Sequence, residues 1–186
     1  EPKTIFFFFF AKGRLALPTE DLEADMYDVL MNEMEAHGLK QYEISNFAKP
    51  GFSSIHNKIY WDNDEYAGFG AGAHGYLEGV RYSNYGPIKK YMEAVEAGSR
   101  PVVHEHEVTQ TERKEEQMFL GLRKTDGISN EVFERKFNET IFDTYRKVIE
   151  GLVKDGLLES NEYGVRLTRK GRFVGNEVFQ QFLLED

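Results

Sequence analysis

The chain has 186 residues, of which 40% are hydrophobic and 30% charged, and a formal net charge of −9. That length holds one domain or two small ones, and that composition fills an ordinary globular core. The acidic balance argues against a general polyanion binder, which needs clustered Lys and Arg, and the absence of cysteine excludes disulfides, thiolate metal sites and thiol nucleophiles within these residues.

The charge is uneven: residues 1–108 carry 10 basic and 17 acidic side chains, residues 109–186 carry 13 and 15. No apolar run has the length of a membrane span and no signal peptide is read, so a cytoplasmic protein is expected. Glu1-Pro2-Lys3 lacks an initiator Met and reads as the middle of something. Phe6 to Phe10 form a run that suits a fully buried strand, or an aggregation-prone end if exposed.

Pro18-Thr19-Glu20-Asp21 opens a helix, with Leu22, Met26, Val29, Leu30 and Met34 near the helical period and Gly38 as its stop. Its acidic first turn suits the positive end of the helix dipole. Tyr42 and Ile44 then alternate with Gln41, Glu43 and Ser45, a strand pattern. Helix followed by strand reads as one step of a parallel sheet. Residues 52–85 show no clear period and read as a long structured loop with short strands, the kind of loop that carries function. Pro87 starts a short helix with Ile88, Tyr91, Met92 and Val95 on one face, ending at Gly98. "SRPVVHEHEVTQTE" reads as a linker.

Residues 109–186 read as a second module. Thr109 and Glu112 can form a capping box for a helix lined by Met118, Phe119 and Leu122. Ser129 caps a short helix with Val132, Phe133 and Phe137. Asn138 is expected to cap a third, with Ile141, Tyr145, Val148, Ile149 and Leu152, stopped by Gly156. "GLLES", "NEYG" and "VRLT" form a hairpin, and Phe173, Val178, Phe179, Phe182 and Leu183 sit on one last helix. Three helices followed by a hairpin wing are a winged-helix pattern.

Four stretches bear on chemistry. "GFGAGAHG", Gly68 to Gly75, resembles a phosphate loop only loosely, for it lacks the Lys-Ser/Thr of a P-loop. Its small residues let backbone approach either a ligand or another backbone, and both readings stay open. In "HNKIYW", His56 and Tyr60 share a face if the segment is helical. An imidazole ligates iron and aromatic neighbours cover a flat macrocycle; a turn histidine followed by two packed aromatics is the plain alternative. "HEHE", His104 to Glu107, places two histidines on one face of an extended segment, too few ligands for a strong metal site. The third helix of the second module mixes Arg146, Lys147 and Lys154 with Glu139, Asp143, Glu150 and Asp155, which is not a basic face. The wing is expected to carry Arg166, Arg169, Lys170 and Arg172, yet nucleic acid is a weak expectation in so acidic a chain, and a packing or lid role fits better.

"QYEISNFAKPG", "HNKIYW" and "GFGAGAHGY", in this order, resemble the radical S-adenosylmethionine family of oxygen-independent coproporphyrinogen III oxidases, in its haem-chaperone-like branch. "EPKT", Leu17 to Asp21 and "GLLE…LTRKG" also fit, so the resemblance covers nearly the whole chain, apart from Phe6–Phe10. It implies an α/β fold: residues 1–108 as the last part of a partial (β/α) barrel, and 109–186 as a helical, winged-helix-like C-terminal domain. It also implies that the family's cysteine motif for a [4Fe–4S] cluster, and its glycine motif for S-adenosyl-L-methionine, lie in a front part not present here. The chain alone is then expected to be inactive.

The resemblance names His56, Asn57, Tyr60 and Trp61 as haem-binding, with His56 as candidate iron ligand, Asn57 orienting it and the aromatic pair packing the macrocycle. It places Glu43 and Asn46 toward a reaction chamber, closed near the cofactor by Gly70, Ala71, Gly72 and His74. The implied function is haem or porphyrin binding for delivery to a recipient protein. Two alternatives stand beside it: oxidative decarboxylation of coproporphyrinogen III, and a winged-helix nucleic-acid module.

Overall fold

The computed structural model describes residues 4–15 and 17–184. The phenylalanine run is a helix, α1 (Ile5–Ala11), not a strand, and all five rings are exposed. A strand there would need a neighbour for its backbone; the helix bonds internally, and Thr4 caps it by accepting from Phe7 N at 3.2 Å.

Helix α2 (Glu20–Ala36) begins where expected, with Thr19 as its cap, and ends before Gly38. Its expected apolar stripe faces outward: Leu22, Met26, Val29 and Leu30 are exposed. The helix is held instead by Met31, which is buried, and by Tyr27, whose hydroxyl donates to Ile44 O at 2.8 Å and whose ring meets Phe173 edge-on.

Strand β1 (Lys40–Glu43) pairs antiparallel with β2 (Asn46–Ala48), so no parallel step forms here. Only two residues separate the strands, and a connection that short can only fold back. After helix α3 (Ile55–Trp61), β3 (His74–Leu77), β4 (Val80–Asn84) and β5 (Val102–Glu107) make an antiparallel sheet in the order β3-β4-β5. The expected linker is therefore strand β5, with His104 opposite Ser83 and His106 opposite Arg81. Helix α4 (Ile88–Glu96) follows Pro87 and leaves Ile88, Met92 and Val95 exposed.

The rest builds one core. Helices α5 (Gln110–Gly121), α6 (Asn130–Phe137) and α7 (Ile141–Lys154) pack with the sheet of β6 (Ile128–Ser129), β8 (Gly164–Leu167) and β7 (Leu158–Asn161), in that order, and with the short α8 (Arg169–Phe173) and α9 (Gly175–Gln180). The Thr109–Glu112 capping box forms, and Ser129 caps α6. Asn138 ends α6 in the left-handed region at φ 56° and does not start α7; Thr140 caps α7 through a second box with Asp143. The expected single last helix is two, broken at Val174. Met118, Leu122, Phe133, Ile141, Tyr145, Ile149 and Phe182 fill the centre of this core. The fold is thus mixed helix and sheet, as expected, and its second half holds α5 to α7, the β7–β8 wing and the short α8 and α9. No helix among the described residues is long and apolar enough to cross a membrane.

Candidate functional site

"HNKIYW" is helical: it is α3, started by Ser54, whose hydroxyl accepts from Asn57 N at 3.2 Å. Helical spacing puts His56 and Tyr60 on one face, with ring centroids 4.8 Å apart and edge to face. Tyr66 continues the row, its ring 4.5 Å from that of Tyr60. Burial pushes the Tyr66 hydroxyl above its ordinary pKa, partly offset by the nearby Arg81 guanidinium. His56 is exposed, its ring nitrogens make no hydrogen bond to the described residues, and its neighbour Ile55 is 77% exposed. A free imidazole beside uncovered apolar surface fits a haem iron and its macrocycle. Asn57 turns away from His56 and donates to Tyr42 Oη at 3.2 Å, so it ties α3 to β1.

The glycine loop has internal reasons for its composition. A Cβ at Gly68 would lie 2.0 Å from His74 O, and one at Gly75 would lie 2.2 Å from the Tyr82 ring. Gly70, Ala71 and Gly72 form the turn between them, anchored where buried Asn84 donates to Gly70 O at 2.9 Å and Gly72 N donates to Tyr85 O at 2.9 Å. Backbone packed against backbone and against Tyr82 accounts for Gly68 and Gly75, and positive φ values of 100° and 71° account for Gly70 and Gly72 in the turn. His74 opens β3, exposed and opposite Ser83.

Glu43 is fully buried, and it faces Arg123 of the second half of the chain. Its Oε1 accepts from Ser45 N at 2.9 Å and from Asn46 Nδ2 at 2.5 Å. Its Oε2 lies 3.7 Å from Arg123 Nη2, an ion-pair distance beyond hydrogen-bond reach. The same guanidinium stacks 4.4 Å from the centroid of Trp61. Arg123 therefore joins the Glu43–Asn46 turn to α3. It was not singled out in the sequence, nor were Lys124 and Lys136, which also reach α3. Lys124 donates to Asp62 Oδ1 at 2.5 Å, and Lys136 donates to Asp62 O at 2.5 Å and to Asp64 Oδ1 at 2.8 Å. The pairs span 62 to 74 residues of sequence, so no local pattern announces them.

The basic residues expected on the wing are engaged elsewhere. Only Arg166 lies on the wing, paired with Glu159; Arg169, Lys170 and Arg172 belong to α8. Arg169 pairs with Asp28, Lys170 donates to Asp155 O at 3.0 Å, and Arg172 donates to Gln41 Oε1 at 2.9 Å. In "HEHE", His106 meets Glu112 at 2.9 Å, and no group of three His, Cys, Asp or Glu placed to hold a metal occurs among the described residues.

Residues 108–174 match the model of the HemN C-terminal domain. The chain is similar to the haem chaperone HemW of Bacillus subtilis (strain 168), 49% identical over 100% of this chain and 49% of that protein. The haem chaperone HemW of Lactococcus lactis subsp. lactis (strain IL1403) is 44% identical over 100% of this chain and 48% of that protein. The chain spans about half the length of the curated relatives it matches. Among solved structures, coproporphyrinogen III oxidase (HemN) from Escherichia coli, described as a radical SAM enzyme, matches with a TM-score of 0.70 over 95% of this chain and 45% of that one, at 17% identity. At that identity the likeness is one of fold, and at 95% of the chain it extends well beyond the second half. From the matched C-terminal domain and the identity along its whole length, the chain belongs to the HemN/HemW family, of which it matches the C-terminal portion.

Proposed function

We propose that this chain is the haem-binding part of a cytoplasmic haem chaperone, and that α3 holds the haem. The carrying observation is His56: an exposed imidazole without hydrogen-bond partners among the described residues, backed by the Tyr60–Tyr66 ring row and flanked by uncovered Ile55. Haem iron bound there takes a nitrogen lone pair from His56, and the aromatic row and Ile55 supply apolar surface for the ring. Trp61 takes a different part: with Arg123 on its face it anchors α3. His74 and the glycine turn, on β3 and the loop before it, bound the site in this reading without supplying the iron ligand. The relatives named haem chaperones support the reading, and the partner it implies is a haem-recipient protein.

Residues 1–108 are, in this reading, the end of the barrel and carry α3, and 109–186 are the winged-helix-like domain whose Arg123, Lys124 and Lys136 hold its end. S-adenosyl-L-methionine and a [4Fe–4S] cluster belong to the longer family members. The residues here do not fit the cluster, since they include no cysteine, and no step of this proposal runs through it. The oxidative decarboxylase reading rests on fold alone. The nucleic-acid reading is disfavoured because Arg166, Arg169, Lys170 and Arg172 already have partners within the chain.

Haemin titration followed by absorbance tests the proposal. The His56→Ala variant is expected to change the haem absorption band and weaken binding by about tenfold or more, equivalent to about 1.4 kcal/mol. His74→Ala is expected to change it less, and His104→Ala and His106→Ala not at all. Unchanged binding in His56→Ala beside a clear loss in His74→Ala would move the site to the glycine loop.

A further inference from the structure

The two ends of α3 are held very differently. At its N-terminal end, Ile55 and His56 are exposed, and no residue of the helix is buried. At its C-terminal end, three cations from the second half of the chain converge within the Trp61–Asp64 stretch. The Lys136 ammonium lies 2.5 Å from Asp62 O, 3.3 Å from Asn63 O, 2.8 Å from Asp64 Oδ1 and 3.1 Å from Gln117 Oε1. With three N–H bonds for four acceptors, it shares itself among them. Two of those acceptors are carbonyls at the end of α3, where the helix dipole favours a positive charge. Lys124 takes the side chain of the same Asp62, and Arg123 lies flat on Trp61. The three basic side chains are 16–26% exposed, while their partners Asp62 and Asp64 are 38% and 53% exposed, so the cations are held by the fold and water reaches the carboxylate side.

We propose that Arg123, Lys124 and Lys136 are positioning residues that clamp the Trp61 end of α3 to the second half of the chain and thereby set where His56 stands. The proposal rests on the haem reading of α3. None of the three touches the His56 face; they act through the rigidity of a seven-residue helix. Losing the clamp leaves the His56 imidazole chemically intact but on a helix free to shift, and a helix that must be ordered on binding lowers affinity.

Trp61 is the only tryptophan, so its fluorescence reports on the clamp without any ligand. In the 186-residue chain, Lys136→Met is expected to move Trp61 emission to longer wavelength as water reaches the ring. It should also weaken haemin binding about tenfold, while Lys136→Arg keeps both near wild type. Lys124→Gln and Arg123→Lys should act in the same direction; Asp62 is 38% exposed and can take water in place of Lys124, so Lys124→Gln serves if Lys136→Met does not fold. Unchanged emission and unchanged haemin affinity in a folded variant would overturn the proposal. A shifted emission with unchanged haemin affinity would also overturn it, reducing the clamp to packing. If wild type fails to bind haemin, the haem reading falls, and the clamp itself then stands or falls on Trp61 emission alone.

Discussion

The two halves of the chain treat their apolar side chains in opposite ways. Up to residue 107, Met31 and Tyr76 are the buried large hydrophobics among the described residues, while α1, α2 and α4 turn Phe6, Met26, Val29, Ile88 and Met92 outward. From residue 108 on, Phe133, Ile141, Tyr145, Ile149 and Phe182 are at most 2% exposed in one continuous core. Hydrophobic burial is the main favourable term in folding, so the second half carries most of the stability. The first half leans on it through discrete polar bridges: Arg169 on Asp28, Arg172 on Gln41, Arg81 on Glu116, and the cations on α3. Bridges of that kind place a segment more than they stabilise it. In this molecule, secondary structure and stability come apart, because a helix bonds its own backbone whether or not its apolar face finds cover.

The sharpest way to break this comparison is to truncate one apolar side chain in each half. Phe133→Ala removes a ring packed 4.6 Å from Phe137 and should cost about 3–5 kcal/mol in a denaturant titration. Met26→Ala, on the exposed stripe of α2, should change stability by no more than about 0.5 kcal/mol. Equal losses would show that the first half has a core of its own.

A smaller effect is expected from glycine, with opposite signs at two positions within the second half. Gly127 has φ 73°, and a Cβ there would lie 2.1 Å from Val165 O, so Gly127→Ala should strain the β6–β8 pairing and cost about 1–3 kcal/mol. Gly151, in α7, has open space around it, and Gly151→Ala should stabilise by about 0.5–1 kcal/mol. Thermal unfolding reads both.

Acid should give the smallest effect and fall mostly on the second half. Backbone and side-chain hydrogen bonds from Thr109 hold the Glu112 carboxyl below its usual value, and those from Thr140 do the same for Asp143. A depressed folded-state pKa gives stability that is present above the unfolded value of about 4 and is lost as pH falls through the folded one. Asp143→Asn should therefore reduce the dependence of the denaturation midpoint on pH below about 4, and leave it unchanged near neutrality.

Much of the second half was legible in the sequence because its signals are local. Thr109 with Glu112, Ser129 ahead of Val132 and Phe133, and the "NEYG" turn each fall within a few residues of what they control. Asn138 misled for the same local reason: Asn serves at either end of a helix, and only the chain's path to Thr140 decides which. The helical face shared by His56 and Tyr60 could also be read, since a spacing of four is a property of the helix alone. What the sequence could not determine was direction. An apolar stripe on α2 says that a helix forms, not that a neighbour covers it, and the packing turned Tyr27 and Met31 inward instead. Alternation in residues 41–45 says strand; that β1 folds back on β2 and sends Glu43 toward Arg123 was settled by tertiary contact. The grip of Lys124 and Lys136 on the end of α3 was likewise decided only in the folded molecule. Coulomb attraction depends on distance in space, and these partners lie more than sixty residues apart in the chain.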